Sequence, residues 1–207
     1  MIKLYGFPIS NYYNIVKMTL LEKGMEFEEV LVRPNQEQEY LAHSPMGKVP
    51  CIEIEQGFLT ETEVILGYLD DLGLGPSFYP VDAFEKAKVR ELIRYLELYI
   101  ELPARRLYGD VFFGRPASAE LKEAVHSDLK KGFAALARLA KFKPYLAGEE
   151  MTYADFYFLF SVGLVTRVTK KALNWDVYAT EPGIKPLLEL LEQRDSVKTI
   201  REDQKQV

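Results

Sequence analysis

GKVPCIEIEQGFLTET, residues 47–62, decides the fold. Pro50 stands at the head of a short alternating run from Cys51 to Glu55, Gly57 supplies a tight turn, and Phe58 and Leu59 begin a return strand. Glu61 and Thr62 then open a helix. A proline has no amide donor, so it sits at a strand start and leaves the neighbouring edge unpaired. A trans Val49–Pro50 bond is the ordinary case, since only about 5–6% of X–Pro bonds are cis. A cis bond would instead fix the turn and present the Val49 amide and carbonyl to an extended peptide, as an added strand. Glu61 and Thr62 also have two readings. Either Thr60 or Thr62 caps the helix while Glu61 favours its dipole, or the pair binds a ligand: free helix amides and a hydroxyl suit a carboxylate, and a glutamate suits an ammonium. An α-amino acid end carries both charges.

Upstream of this stretch, residues 2–6 read as a strand ended by Gly6 and Pro8. Asn11 opens a helical pattern through Ile15, Val16, Met18 and Leu20, stopped by Gly24. Phe27 to Val32 alternates as a second strand, and 33–46 read as a loop with a short helix. Downstream, a helix runs from about Glu61 to Asp71, and Gly73 to Pro80 reads as a linker with two glycines and two prolines. The rest is helical in pattern. One long helix is expected over about 83–112 with a kink at Pro103, another over 118–141, a third from Thr152 and a fourth near Gly183. Thr152 and Asp155 have capping-box spacing, with Met151 and Phe156 as a staple, which is a folding signal. Residues 189–207 read as a solvated, partly frayed tail.

With 207 residues and 48% hydrophobic content, the chain can bury a core in one large or two small domains. A net charge of −5 argues against a nucleic-acid partner, which needs a dense cationic face. No apolar run approaches the ~20 residues of a membrane-spanning helix. The opening MIKLYGF has no cleavable signal pattern, and the single cysteine, Cys51, forms no internal disulfide; both fit a cytoplasmic protein. Cys51 reads as a small core residue, His43 and His126 as isolated surface residues, and no ligand spacing suggests a metal.

Four ordered motifs resemble the glutathione transferase superfamily, across nearly the whole chain. Ser44 to Pro50 is similar to its Asn-Pro-x-Gly-x-Val-Pro loop, and Glu61 to Ile65 to its Glu-Ser-x-Ala-Ile helix start. Phe78, Tyr79, Pro80 resembles its linker, and Tyr145 to Gly148 with Thr152 to Asp155 resembles the capping box of its helical domain. Ser44 for asparagine and Thr62 for serine are departures. The resemblance implies a cytosolic, bacterial-like homodimer acting in detoxification. It implies an α/β thioredoxin-like domain (1–76) that binds glutathione and an all-α domain (82–207) that contributes the electrophile site. It further implies a cis Pro50, Val49 pairing with the cysteinyl part of glutathione, Glu61 and Thr62 holding the γ-glutamyl end, and Lys48 meeting the glycine carboxylate.

The resemblance leaves the thiol-activating group open. Counting back from Val16 and Lys17, Ser10 falls where serine-type classes carry their hydroxyl, whereas Gly6, not Tyr5, occupies the tyrosine-type position. A one-residue slip along a strand reverses side-chain direction, so Ser10 is preferred over Tyr5, with Asn11, Tyr12 and Tyr13 as further rivals. A helix-entry cap is the alternative role for Ser10. Phe7, Ile9, Tyr99, Tyr108 and Phe112 are candidates for the electrophile pocket. The expected reaction is conjugation of glutathione to a small hydrophobic electrophile. Glutathione-dependent isomerisation or dehalogenation, or a non-catalytic binding or regulatory role, are the alternatives.

Overall fold

A computed structural model describes residues 1–206. The chain divides into two compact units, Met1–Phe78 together with the chain from Gln193 onward, and Tyr79–Glu192. The first unit is built on a four-stranded sheet of order β2-β1-β3-β4: β1 (Ile2–Gly6), β2 (Phe27–Leu31), β3 (Cys51–Ile54) and β4 (Gly57–Thr60). β1 runs parallel to β2 and antiparallel to β3, and β3 and β4 form the hairpin expected around Gly57. A parallel pair needs a crossover, which α1 (Asn11–Glu22) supplies. The short α2 (Gln38–Leu41) precedes β3, and α3 (Thr62–Asp71) follows β4. Leu4, Ile15, Val16, Met18, Leu20, Ile52, Ile65 and Leu69 are sealed from solvent and form the core of this unit.

The segment expected as a linker is tied back onto this unit. Lys23, almost fully buried, donates to the Pro76 carbonyl at 2.7 Å, and Ser77 donates to Asp70 at 2.8 Å.

The second unit is helical: α4 (Ala83–Tyr95), α5 (Leu102–Arg105), α6 (Tyr108–Phe113), α7 (Ala119–Leu139), α8 (Tyr153–Tyr157), α9 (Gly163–Leu173), α10 (Val177–Thr180) and α11 (Ile184–Leu191). The single long helix expected over 83–112 is not continuous. A π-helical stretch, Leu96–Glu101, joins α4 to α5, and Leu102 N–H donates five residues back to the Glu97 carbonyl. Pro103 has no N–H to offer the Tyr99 carbonyl, and the ladder changes register next to it. Gly132 of α7 lies against that carbonyl: a Cβ at 132 would sit 2.1 Å from the Tyr99 oxygen. A second π stretch, Phe158–Val162, joins α8 to α9.

Asp155 completes the capping box. Its carboxylate accepts from Thr152 N–H at 2.7 Å, from the Thr152 hydroxyl at 3.1 Å and from Leu146 N–H at 2.7 Å. It is 0% exposed, and burial pushes its pKa up to about 6 against the pull of those donors.

The frayed tail expected over 189–207 is instead ordered through α11 and a last helix, α12 (Asp195–Lys205). Within the range assigned above to the all-helical domain, α12 packs on α1 of the first unit. Val197 and Ile200 are buried there. Lys17, whose side chain is 4% exposed, pairs at 2.6 Å with both Glu29 of β2 and Asp203 of α12. A buried ammonium is costly unless paired, so α12 is part of what lets α1 carry a lysine in its packed face. At the other end of α1, Glu22 accepts from Arg194 and, at 2.5 Å, from Ser196. The start of α12 thus meets the end of α1, and the two helices run antiparallel.

Candidate functional site

The loop before β3 is held by its own side chains. The Ser44 hydroxyl, 1% exposed, donates to the Lys48 carbonyl at 2.8 Å and accepts from Lys48 N–H at 3.2 Å. The Tyr40 hydroxyl donates to the same carbonyl at 2.8 Å. Ser44, the departure from asparagine, therefore closes the loop together with Tyr40. Gly47 has φ 61°, and a Cβ there would come within 1.9 Å of the Asn35 carbonyl oxygen, so no side chain fits. The Lys48 side chain is exposed, Val49 is half-buried and Pro50 is buried. The Val49–Pro50 bond is cis. Among the described residues, none hydrogen-bonds the Val49 N–H or carbonyl.

At the start of α3, Glu61 occupies the N-cap position with φ 65° and ψ 116°, and its side chain makes no cap bond. A non-glycine residue in such a conformation costs on the order of 1–3 kcal/mol and persists only where the surroundings impose it. No cap bond comes from the Glu61 side chain, so the first α3 amides lack it as an acceptor. Thr62 follows as the first helical residue, 7% exposed, while Glu61 is exposed.

Ser10 is the N-cap of α1, and its hydroxyl accepts from Tyr13 N–H at 3.4 Å, a long bond. Accepting from a helix amide leaves the hydroxyl proton available for donation, so capping and thiol activation are compatible roles. The turn that delivers Ser10 is closed by Ser10 N–H donating to the Phe7 carbonyl at 3.0 Å. Gly6 has no side chain because a Cβ there would lie 2.2 Å from the Tyr13 ring.

The rivals separate on geometry. The Tyr5 hydroxyl donates to Glu53 at 2.5 Å, and its pKa is pushed up to about 12 by burial and by that carboxylate. Lys3 pairs with the same Glu53 at 3.2 Å. A phenol engaged in this way is not free to donate to a thiolate. The neighbouring Tyr13, 2% exposed, donates to Glu29, and its pKa is raised by burial first and by Glu29 second. Asn11 is buried in the first turn of α1 and Tyr12 is half-buried beside it.

Cys51 is 0% exposed, its thiol directed at the His43 carbonyl at 3.3 Å, and burial raises its pKa to about 12. That fits the reading of a core cysteine. His43 is not an isolated surface residue. It stacks on Phe58 with centroids 4.1 Å apart and meets Tyr5 and Tyr40 edge-on. His126 likewise packs on Trp175, with centroids 5.1 Å apart.

None of the five electrophile-pocket candidates is in a core. Phe7 lies under the Arg33 guanidinium at 5.3 Å, and Ile9 is 52% exposed. In the second unit Tyr99 and Phe112 are exposed, and Tyr108 meets Phe112 edge-on at 5.3 Å. The Tyr108 hydroxyl donates to Glu101 at 3.2 Å, and burial raises its pKa. Sequence reasoning missed Glu101, which is 0% exposed and paired with Arg105 at 2.5 Å. The four-residue spacing of that pair was the available signal. Among the described residues no cluster of three or more His, Cys, Asp or Glu side chains could hold a metal, and no helix is long and apolar enough to cross a membrane.

A sheet with a cis-proline loop, followed by a helical unit, defines a thioredoxin-like protein with an appended all-α domain. The family of glutathione S-transferase N-terminal domains matches residues 4–77, and that of the C-terminal domains matches residues 104–194. A glutathione S-transferase of Pseudomonas putida is 49% identical over 203 residues, which is 98% of this chain and 92% of that one. A probable elongation factor 1-gamma of Arabidopsis thaliana is 29% identical over 153 residues, 73% of this chain but 37% of that protein. Among solved structures, poplar glutathione transferase F1 matches with a TM-score of 0.83 at 24% identity, covering 100% of this chain and 99% of that one, a likeness of fold. The chain belongs to the glutathione transferase superfamily and is a glutathione transferase, with glutathione as the substrate its family uses.

Proposed function

We propose that this transferase binds glutathione on the first unit, activates its thiol with the Ser10 hydroxyl, and conjugates it to a small hydrophobic electrophile. The observation that carries the binding reading is Glu61, an exposed glutamate held at φ 65° at the start of a ten-residue helix that its side chain does not cap. Backbone strain without a capping return belongs where a ligand uses the geometry. In this reading the α3 amides and Thr62 receive the γ-glutamyl carboxylate, and Glu61 receives its ammonium. Val49 pairs its main chain with the cysteinyl residue, and Lys48 meets the glycine carboxylate as a point charge. Pro50 holds Val49 in place.

A free thiol titrates at about 8.5 and is only a few per cent thiolate at neutral pH. Each unit of lowering needs about 1.4 kcal/mol of preferential stabilisation of the thiolate. A hydroxyl donor at a helix N-terminus supplies both a hydrogen bond and a favourable dipole, which is the position of Ser10. The thiolate then attacks the electrophilic carbon. A carbon–sulfur bond forms, the leaving group departs with its electron pair, and the thiol proton passes to solvent. Phe7 and Ile9 of the first unit are the proposed apolar surface for the electrophile.

Retention on immobilised glutathione and turnover of a generic aryl halide test the reading. Ser10→Ala is expected to raise the pKa of the bound thiol and cut conjugation while keeping retention. Unchanged thiolate absorbance and activity in that variant would reject Ser10. A second reading, a transferase-fold module without turnover, draws on the elongation factor 1-gamma likeness, where this chain corresponds to about a third of the protein. Glutathione binding without conjugation, isomerisation or dehalogenation would favour it. A cytoplasmic homodimer acting in detoxification completes the proposal, and a monomer in sedimentation at micromolar concentration would count against the dimer.

A further inference from the structure

The Ser10 turn is anchored by a residue nearly two hundred positions away. The Pro8 carbonyl, at the centre of the turn from Phe7 to Ser10, accepts two hydrogen bonds. One comes from the Asn14 amide at 2.7 Å, one helical turn along α1; the other comes from the Gln204 amide at 3.0 Å, on the last turn of α12. Gln204 is itself aimed, because Arg201 donates to its Oε1 at 2.9 Å. The same turn of α12 holds Asp203, which pairs with the buried Lys17.

These contacts define a mechanical relay. The Pro8 ring fixes its own φ, so the orientation of the Pro8–Ile9 peptide is set by one remaining torsion. Two donors on the Pro8 carbonyl fix that torsion, and with it the direction in which the turn hands over to Ser10. Asn14 is buried inside α1 and belongs to the helix, so it cannot be varied without repacking. Gln204 comes from a separate element and touches only the carbonyl and its own helix neighbour among the hydrogen bonds above.

We propose that Gln204 is a positioning residue for the Ser10 hydroxyl, acting through the Pro8 carbonyl, so that the C-terminal helix tunes thiol activation. The proposal rests on the reading of Ser10 as the thiol-activating group. A donor lost at position 204 leaves Asn14 alone on the carbonyl, the peptide is held less firmly, the hydroxyl is less well aimed, and the bound thiolate is less stabilised. The glutathione-holding residues Lys48, Val49, Glu61 and Thr62 lie outside the relay, so binding is untouched.

The test uses the full-length protein and titrates the ultraviolet absorbance of bound glutathione thiolate against pH, with glutathione affinity measured by calorimetry. Four variants are compared: Gln204→Met, which keeps length and removes the donor; Gln204→Lys, which restores a donor; Ser10→Ala; and the double variant Ser10→Ala with Gln204→Met. The expected result for Gln204→Met is a thiol titrating about half a pH unit higher, which lowers kcat/KM by about threefold at pH values well below that titration. Affinity for glutathione and the urea midpoint should stay near those of the parent. Gln204→Lys should recover most of the shift, and Gln204→Met should add nothing in the Ser10→Ala background. A Gln204→Met titration identical to the parent, with Ser10→Ala still shifted, overturns the positioning role and leaves Ser10 standing. A Ser10→Ala titration identical to the parent overturns the Ser10 reading and this proposal with it. A fully additive double variant shows that Gln204 acts on the thiol by another route and likewise overturns it.

Discussion

Asp155→Ala tests the physics of the second unit most directly, because its cost can be worked from named contacts. The carboxylate accepts from two backbone amides and one hydroxyl in a site closed to water. Removing it strands the Leu146 and Thr152 N–H groups, each worth about 1–3 kcal/mol when buried and unsatisfied. Against this, alanine relieves the burial of a charge. A pKa raised from 3.8 to about 6 corresponds to ~3 kcal/mol held against the ionised form at neutral pH. The two effects oppose, so the roughly 2–6 kcal/mol of two stranded amides is cut to a net loss of at most about 3 kcal/mol at pH 7. The pH dependence carries a definite sign. A carboxyl whose folded pKa lies above its unfolded value binds protons preferentially in the fold. Its contribution to stability is therefore fully present below about pH 4 and is lost as pH rises through about 6. The deficit of Asp155→Ala relative to the parent should widen by about 1 kcal/mol between pH 7 and pH 5. Urea unfolding of both proteins at the two pH values measures it. A deficit that narrows on acidification would refute the account, since it would mean the donors outweigh burial and the folded pKa lies below 3.8.

Three further outcomes are expected. Glu61→Gly should raise stability by roughly 1 kcal/mol by releasing the positive φ, while weakening glutathione binding; calorimetry and urea unfolding read the two effects separately. Lys17→Met leaves the partly exposed Glu29 and Asp203 without their shared cation and should cost about 1 kcal/mol, with amide exchange rising first across α12; exchange that rises uniformly would disprove the clasp. Tyr5→Phe removes only the bond to Glu53, so it should cost about 1 kcal/mol of stability and leave the bound thiol's titration unchanged.

Much of the first unit was legible because its decisions are local. Gly24 stops α1, Gly57 turns the hairpin and Pro50 opens β3, and each does so with whatever neighbours it has. The capping box was legible for the same reason: Thr152 and Asp155 are three residues apart. What escaped was set by distant partners. The segment of α12 is polar throughout except Val197 and Ile200, and nothing in it announces a docked helix. The clue was elsewhere: Lys17 stands between Val16 and Met18, both 0% exposed, and a lysine there requires an acid from outside α1. His43 was misread because Phe58, its stacking partner, is fifteen residues away on β4. Pro103 was recognised as a disturbance, but proline chemistry alone does not choose between a kink and a change of helical register; Gly132 lying on the Tyr99 carbonyl is seen only once α7 is packed.

Cys51 gives the protein a built-in reporter. It is the one thiol in the chain, and it lies at the head of β3, directly after the proline that shapes the candidate glutathione loop. Burial and a pKa near 12 make it inert toward alkylating reagents in the closed state. Labelling can therefore proceed only through opening of that strand, and its rate, followed by mass spectrometry on unmodified protein, reads the opening equilibrium of the first unit. Slower labelling in the presence of glutathione would express ligand binding as local closure, with no engineered probe and no spectroscopic label.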